Sequence, residues 1–308
     1  MLKDYLKIAR PDHWFKNIFV LPGVIVASWF SHISIWDRSY FLVLGVIAAC
    51  LLASANYVIN EWLDAKFDRF HPLKKSRPVV TKNLKGHVVL LEYLLFAGSA
   101  FLVGWQINEK VVYMLAVFLM MGLIYNVAPL RSKDIPYVDV LTEAINNPIR
   151  LLIGWFCVVD VGLPPMSLIV AYWMGGAFLM ALKRYAEYRF IANPEMAGKY
   201  RKSFIHYNEE KLLVFSLFNV ICTVFFLSAF LFRYRMELLI SFPFISLMFT
   251  WYFKIAMQAK STVQTPEKLY KEGYFLAYTV FSCGVMYLLL KVDLPQIASA
   301  FSGKPFSG

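Results

Sequence analysis

Charged side chains are scarce in this sequence. Asp, Glu, Lys and Arg make up 17% of its 308 residues, against about 25% in an ordinary soluble domain. Apolar residues make up 59%, above the usual share of about 45–50%. The shortage of charge excludes an intrinsically disordered chain, a coiled coil and a typical cytosolic enzyme.

Cysteine and histidine are also few. The four cysteines lie in apolar stretches and form no C-x-x-C pair, so the sequence predicts neither a disulfide framework nor a zinc site. The five histidines show no HExxH or other paired spacing. Walker, G-x-G-x-x-G and G-x-S-x-G motifs are missing as well. The sequence therefore has none of the common motifs of nucleotide-binding proteins and hydrolases.

Long apolar stretches are what the sequence has in abundance. A hydrocarbon core about 30 Å thick needs roughly 20 helical residues, and nine stretches come close to that length. They predict an all-α, polytopic integral membrane protein in which residues 1–308 form a single membrane domain, a bundle of nine transmembrane helices. The predicted spans are 17–35, 40–60, 87–106, 111–128, 138–159, 166–183, 212–232, 237–257 and 273–291.

The basic residues are distributed unevenly between the gaps that separate these spans. Of 31 Lys and Arg, 24 lie in the N-terminal tail and alternate gaps, 6 on the other side, and Arg150 inside a span. The positive-inside rule therefore predicts a cytoplasmic N-terminus and cytoplasmic active-site loops at 61–86 and 184–211, with the C-terminal tail and its Lys304 outside. Residues 1–16 are predicted to form an amphipathic lead-in helix on the membrane surface. Topology accounts for the net charge of +11, so no nucleic acid partner is predicted.

An acidic stripe marks the end of the second span. Asn60, Asp64 and Asp68 follow one another at intervals of four, and Glu61 precedes Asp64 by three. This spacing places four oxygen-bearing side chains on one helical face. Mg²⁺ is bound by such oxygen ligands, commonly one or two carboxylates together with substrate phosphates. The stripe therefore indicates a magnesium site at the membrane edge.

A basic turn, HPLKKSRP at 71–78, follows the stripe. Its prolines stop the helix and hold Lys74 and Arg77 beside the carboxylates. Acids and bases paired in this way suit a metal-bridged anion such as a diphosphate. The alternative is a solvated helix end with ion pairs to Lys66 and Arg69, followed by lysines that only set topology.

The two motifs together resemble those of the UbiA superfamily of intramembrane prenyltransferases. That family carries NDxxDxxxD, often followed by HPxKxxRP, where this sequence has NEWLDAKFD and HPLKKSRP. The resemblance implies a nine-helix bundle with active loops after the second and sixth helices. It also implies Asp64 and Asp68 as catalytic residues that, with Asn60 and Glu61, hold Mg²⁺. Glu61 stands where the family usually has Asp.

The second family motif, DxxxD, is replaced by KRYAE at 183–187. With RPDHWFKN at 10–17, this is similar to the branch of decaprenyl-phosphate phosphoribosyltransferases, which join 5-phosphoribosyl 1-diphosphate to a polyprenyl phosphate and release diphosphate. The plainer interpretation is an ion pair between Lys183 and Glu187 at i, i+4. The resemblance implies that phosphate groups are held by Lys16, Lys74, Arg77, Lys183 and Arg184.

A polar face lies within the predicted fifth span. Glu143, Asn146, Asn147 and Arg150 recur at helical spacing. Such residues are costly to expose to lipid, so they are expected to face the bundle interior. A purely structural network between Glu143 and Arg150 is the alternative. Upstream, YNVAPLR at 125–131 is similar to the YSxPPLRxK of ordinary aromatic prenyltransferases in the superfamily. The expected substrate cavity comprises Asn56, Tyr125, Arg131, Glu143, Asn147, Arg150, Tyr185 and Glu187.

Three functions remain open on this basis. The first is a Mg²⁺-dependent phosphoribosyl transfer to a polyprenyl phosphate in the cell membrane of a bacterium or archaeon. The second is transfer of a prenyl group from a prenyl diphosphate to an aromatic or haem-type acceptor. The third is transport of an anionic lipid, with Glu143 and Arg150 as gating charges. Each implies a polyprenyl or other membrane lipid as a partner, and the first two add a small molecule with a diphosphate.

Overall fold

The computed structural model describes residues 2–297, and every regular element among them is helical. The α-helices are α1 (Leu2–Ile8), α2 (Leu21–Ser31), α3 (Ser39–Asp68), α4 (Pro78–Thr81), α5 (Gly86–Trp105), α6 (Glu109–Asn126), α7 (Val138–Ala144), α8 (Asn146–Phe156), α9 (Met166–Ile191), α10 (Pro194–Tyr200), α11 (Glu209–Tyr234), α12 (Phe242–Ala256) and α13 (Gly273–Leu289). Short 3-10 helices lie at Pro11–Val20, Trp36–Arg38, Lys74–Ser76, Ser132–Asp134, Lys202–His206, Met236–Ser241, Thr262–Gln264 and Pro266–Lys271. The C-terminal tail with Lys304 lies outside the described residues.

Seven helical segments within residues 2–297 are long and apolar enough to cross a membrane. They contain α2, α3, α5, α6, α9, α11 and α12, three of them extended by an adjoining 3-10 helix. An eighth apolar helix, α13, has 17 residues. The all-α, polytopic architecture is thus confirmed, whereas the count of nine crossings stays a prediction.

The predicted span 138–159 is two short helices, α7 and α8, which divide at Ile145. Pro148 explains the division, because proline offers no amide hydrogen and its ring clashes with the carbonyl four residues earlier. That carbonyl belongs to Ala144, the last residue of α7. The prediction of one continuous helix was therefore wrong.

The N-terminal residues do not form the single lead-in helix that their pattern predicts. Helix α1 ends at Ile8, Arg10 adopts a left-handed conformation with φ of 51°, and a 3-10 helix starts at Pro11. Proline at this position cannot continue α1 and disfavours helical geometry in the residue before it. The chain consequently turns into the protein, where His13 and Asn17 are buried.

Two glycines allow the entering chain to pack at backbone distance against α8. A Cβ added to Gly23 would lie 1.9 Å from the carbonyl oxygen of Leu151, and one added to Gly154 would lie 2.0 Å from that of Val20. Small residues at helix contacts are typical of membrane bundles, because they let two backbones approach closely. This contact holds Asn17 beside Arg150 of α8.

Two helices run beyond their predicted ends and carry polar residues with them. Helix α3 has 30 residues and α9 has 26, which correspond to about 45 Å and 39 Å at about 1.5 Å per residue, more than a hydrocarbon core of about 30 Å. The C-terminal turns of α3 hold the acidic stripe, and those of α9 hold KRYAE. The predicted loops 61–86 and 184–211 therefore begin as helix.

Candidate active site

The acidic stripe is already paired with basic side chains from the segment after α6. Asp64 Oδ1 lies 2.9 Å from Arg131 Nη2 and 2.6 Å from Lys133 Nζ. Asn60 Nδ2 donates to the other oxygen of Asp64 at 3.1 Å. Burial lowers the pKa of the Lys133 ammonium to about 8, even though Asp64 acts in the opposite direction. The stripe is thus held by a distant part of the chain.

Arg77 forms ion pairs with the two remaining acids of the stripe, Glu61 and Asp68. Its Nη1 lies 2.6 Å from Asp68 Oδ2 and 3.0 Å from Glu61 Oε1, and both carboxylates are buried. Burial alone would lower the pKa of Arg77, but the two carboxylates raise it above its usual value. Arg69 instead donates its Nε to the carbonyl of Lys66 at 2.7 Å. The interpretation as a solvated helix end paired with these two residues was therefore wrong.

Glu187 is the centre of a second group, built from the basic turn and α10. Its Oε1 lies 2.6 Å from Lys74 Nζ, 3.5 Å from His71 Nε2 and 3.0 Å from the Tyr200 hydroxyl, which donates to it. His71 Nδ1 accepts the backbone N–H of residues 73 and 74 at 3.1 and 3.3 Å. Burial alone would lower the pKa of Lys74, but Glu187, Tyr200 and Asp68 together outweigh burial and raise it. The turn after α3 is thereby tied to α9.

Tyr125 joins a third group. Its hydroxyl donates to Glu143 Oε2 at 2.9 Å and accepts from Arg184 Nη2 at 3.0 Å and Arg201 Nη1 at 3.2 Å. Arg184 also donates directly to Glu143. Lys183 Nζ lies 3.5 Å from Glu143 Oε1. The ion pair of Lys183 with the acid one turn later is therefore not formed, since Lys183 contacts α7 instead.

Asp139 anchors this group and was not assigned from the sequence. It is fully buried and accepts hydrogen bonds from Tyr207 at 2.6 Å, Ser203 at 3.2 Å and Arg184 Nε at 3.3 Å. The partners lie 45 to 68 residues away along the chain. The available signal was an acid at the start of an apolar stretch, since buried carboxylates need partners.

Lys16 lies in the middle of the N-terminal 3-10 helix. Its ammonium is 2.9 Å from His13 Nδ1 and 5.9 Å from the ring centre of Tyr57. His13 Nε2 lies 3.3 Å from Glu267 Oε2, in the connection between α12 and α13. The lysine is therefore held by an imidazole and an aromatic face, with no carboxylate in direct contact among the described residues, and it retains donors for an anion.

Arg150 is held by the entering chain. Its Nε donates to Asn17 Oδ1 at 2.8 Å, its Nη1 donates to the carbonyl of Asn146 at 3.1 Å, and the guanidinium lies 4.8 Å from the ring centre of Phe118. The alternative of a network between Glu143 and Arg150 was therefore wrong, because each has other partners.

The other residues expected in the cavity lie around these groups. Asn56 donates to the carbonyl of Phe118 at 3.1 Å, and Asn147 packs where a Cβ on Gly176 would lie. Tyr185 is buried, and its hydroxyl accepts from Arg189 at 3.2 Å. Asn56 and Asn147 therefore fill close helix contacts, and Tyr185 bonds away from the ion pairs.

The donor set of the stripe fits a magnesium ion that is shared with phosphate oxygens. Among residues 2–297 no group of three His, Cys, Asp or Glu is arranged to hold a metal ion by itself. Mg²⁺ nevertheless commonly binds one or two carboxylates and takes its other ligands from phosphates and water. Asn60, Asp64 and Asp68 offer such a partial set on one helical face, with basic residues beside it for the phosphates.

Comparison with curated proteins finds relatives of two activities. The chain is 27% identical over 214 residues to decaprenyl-phosphate phosphoribosyltransferase of Mycolicibacterium smegmatis, which covers 69% of the chain and 65% of that relative. The chain thus spans slightly less than two thirds of that protein. It is also 25% identical over 172 residues to a 4-hydroxybenzoate octaprenyltransferase of Tolumonas auensis, covering 56% of each.

Solved structures share the fold. A UbiA homologue from Archaeoglobus fulgidus bound to DMAPP and Mg²⁺ superposes with a TM-score of 0.69 and 21% identity, covering 94% of this chain and all of that one. The family profile described as the UbiA prenyltransferase family matches residues 17–281. With its apolar helices and a paired acidic stripe at the end of α3, this chain is an integral membrane protein that belongs to the UbiA prenyltransferase family.

Proposed function

We propose that this protein is a Mg²⁺-dependent intramembrane transferase that joins 5-phosphoribosyl 1-diphosphate to a polyprenyl phosphate and releases diphosphate. The observation that carries the proposal is the charge of the second motif. Lys183 stands in place of its first acid, and the remaining acid, Glu187, is neutralised by Lys74. A site with this additional positive charge suits a donor that carries another phosphate group besides its diphosphate. The named activity of the mycobacterial relative supports the same choice.

In this proposal Asn60, Asp64 and Asp68 hold Mg²⁺, and Glu61 takes part through Arg77, which it shares with Asp68. The bound metal supplies positive charge that stabilises the leaving diphosphate. Arg77 contacts the stripe, and Lys74, from the same turn, contacts Glu187. In this proposal their remaining N–H groups face the diphosphate oxygens, which is the kind of preorganised stabilisation that lowers barriers most.

The chain needs no side-chain nucleophile for this reaction. The bond from C1 of ribose to the diphosphate oxygen breaks, its electron pair leaves with the diphosphate, and an oxygen of the lipid phosphate forms the new bond to C1. A phosphate monoester is already ionised at neutral pH, because its second pKa is about 6. The protein therefore acts by holding charges and excluding water, with Lys16 and Lys183 as the remaining phosphate contacts. Arg184, which the sequence also indicates for this role, is instead bound to Asp139 and Glu143.

We further propose nine membrane crossings, in which α13 and the α7–α8 pair complete the seven long helices. The N-terminus and the active site then face the cytoplasm of a bacterium or archaeon, as the distribution of basic residues indicates. The polyprenyl chain would lie between helices while its phosphate reaches the ion pairs at the end of α3.

A single substitution tests the donor. Lys183→Asp removes a positive charge and adds a negative one, so it should lower transfer from labelled 5-phosphoribosyl 1-diphosphate to polyprenyl phosphate in Mg²⁺-containing membranes by about 10- to 100-fold or more. Loss of one charge-assisted contact is worth about 1.5–3 kcal/mol. Lys199→Asp is the matched control, because Lys199 is exposed and pairs only with Glu195 among the described residues.

The runner-up is prenyl transfer to an aromatic acceptor. It is favoured by Tyr125 and Arg131, whose segment is similar to that of aromatic prenyltransferases, and by the octaprenyltransferase among the relatives. No sugar transfer by the wild type, together with prenylation of an aromatic acid, would establish it. Under that outcome Lys183→Asp should keep or improve activity, because it rebuilds an acidic metal-binding pair. The transporter loses its basis, since Glu143 and Arg150 are held by other partners.

A further inference from the structure

Arg201, which follows α10, and Arg184 of α9 differ in how many of their guanidinium N–H groups have a partner. Arg184 is 1% exposed and contacts Asp139, Glu143, Tyr125 and Glu187, so every edge of its guanidinium is occupied. Among the described residues, Arg201 donates hydrogen bonds only to the Tyr125 hydroxyl, at 3.2 Å, and to Asp139, at 3.5 Å, both through Nη1. Its guanidinium also lies 6.0 and 5.9 Å from the ring centres of Tyr200 and Phe204. Its Nε is buried and has no hydrogen-bond partner.

A buried donor without a partner costs free energy, so its persistence calls for a ligand. The charges of the surrounding group indicate the sign of that ligand. Lys183, Arg184 and Arg201 bring three positive charges, against the two carboxylates of Asp139 and Glu143. The Arg201 side chain is 12% exposed, which leaves it within reach of a molecule in the site.

From these contacts we infer that Arg201 binds a phosphate monoester, with Lys183 on the other side of the same group, while Arg184 is part of the fixed frame. The inference rests on the proposed function, in which both the 5-phosphate of the donor and the phosphate of the lipid acceptor are monoesters. A guanidinium presents its N–H groups in a planar fork that matches phosphate oxygens. Nε and an adjacent terminal nitrogen form one edge of that fork.

Removal of Arg201 should leave the fold intact. Asp139 would keep Arg184, Ser203 and Tyr207, and Tyr125 would keep Arg184 and Glu143. Arg201→Gln therefore removes the charge without orphaning either acceptor. Lys202→Gln is the matched control, since this neighbouring side chain is 60% exposed and lies 3.6 Å from Asp134.

The test is a titration of each substrate in turn against purified protein with Mg²⁺. Arg201→Gln should raise the KM of one phosphate-bearing substrate by about 10- to 100-fold, since a hydrogen bond to a charged group contributes about 1.5–3 kcal/mol. The affected substrate identifies the source: the donor for its 5-phosphate, or the polyprenyl phosphate. Arg201→Lys should recover part of the loss, and Lys202→Gln should change neither KM by more than about twofold.

Two outcomes would overturn the inference. One is an Arg201→Gln variant with both KM values within twofold of the wild type. The other is an equal effect of Lys202→Gln. A purely structural role would lower the melting temperature of Arg201→Gln and Arg201→Lys without changing either KM.

Failure of the proposed function is separable from failure of this inference. If the wild type transfers no ribosyl group, binding of ribose 5-phosphate is measured directly by calorimetry in detergent. Binding to the wild type that weakens at least tenfold in Arg201→Gln would support the phosphate site without the ribosyl reaction. Equal binding, or none to the wild type, would refute it.

Discussion

At the scale of single residues, the acidic stripe combines two properties that usually conflict. Glu61 and Asp68 are buried and Asp64 is half-buried, yet each acid has a basic partner with which it keeps the charge that the proposed metal site requires. Breaking a buried ion pair normally destabilises a protein, since one charge is left uncompensated. Variants that keep the shape of the side chain, such as Asp→Asn, therefore separate an effect on metal binding from an effect on folding.

Asp64→Asn and Asp68→Asn should each lower turnover by more than about 100-fold, because metal-assisted charge stabilisation is worth several kcal/mol. Both variants should elute as folded protein in detergent, since the amides still accept one hydrogen bond. Glu61→Asp, which restores the usual family residue, should lose far less. Asp37→Asn is the control, because Asp37 is exposed and lies just before the other end of α3. Comparable activity in all four variants would place the metal elsewhere.

The Tyr207 hydroxyl offers a stability test that is independent of metal. It donates to the fully buried Asp139 at 2.6 Å. Tyr207→Phe should reduce the free energy of unfolding by about 1–3 kcal/mol, the usual cost of removing a partner from a buried polar group. Tyr270→Phe, at an exposed tyrosine, should leave the melting temperature unchanged. The comparison is made by thermal unfolding in one detergent, and equal melting temperatures would contradict the assigned bond.

At the scale of helices, the entering chain and α8 pack closely because the residues at their contact, Gly23 and Gly154, are glycines. Gly154→Ala would place a methyl group 2.0 Å from a backbone oxygen, which a side-chain rotation cannot relieve. Overpacking of this kind costs about 1–3 kcal/mol or more. Gly98→Ala in α5 is the matched control, because its Cβ would meet nothing within 4 Å. Alanine there should be neutral or slightly stabilising, so equal effects in the two variants would refute the close contact.

Local patterns in the sequence predict what lies within one helix and little of what crosses between helices. The stripe Asn60–Asp64–Asp68 was predicted because its spacing matches one helical face. Its partners Arg131 and Lys133 were not, because 67 residues separate Arg131 from Asp64 and only the packing of α3 against α6 brings them together. The division at Ile145 was missed because the apolar composition of 138–159 outweighed the signal of Pro148.

At the scale of the whole molecule, the residues proposed to bind metal or phosphate, with the ion-pair partners of the stripe and of Lys183, come from five separate parts of the chain. They are the N-terminal 3-10 helix, the end of α3 with its basic turn, the segment after α6, α7, and the end of α9 with α10. All must lie on one side of the membrane for the site to form. The 24 basic residues of the N-terminal tail and alternate gaps predict that this is the cytoplasmic side.

Membrane orientation is tested by labelling introduced cysteines in a background without the native four. Lys75→Cys and Lys199→Cys lie at exposed positions and should react with an impermeant maleimide only after the membrane is opened. Asp160→Cys, exposed between α8 and α9, should react from outside in intact cells. Labelling of the first two variants from outside would reverse the proposed orientation of the active site.

The basic partners of the stripe also bear on how the protein matures. In many small metal-binding domains the ion is part of the folding free energy, so that a chelator unfolds them. Here Arg77, Arg131 and Lys133 already compensate the acids, so assembly in the bilayer does not have to wait for magnesium. EDTA should therefore stop turnover without lowering the melting temperature, and re-added Mg²⁺ should restore activity within the mixing time. A cell short of magnesium would then hold a reserve of assembled, silent enzyme instead of losing it to proteolysis.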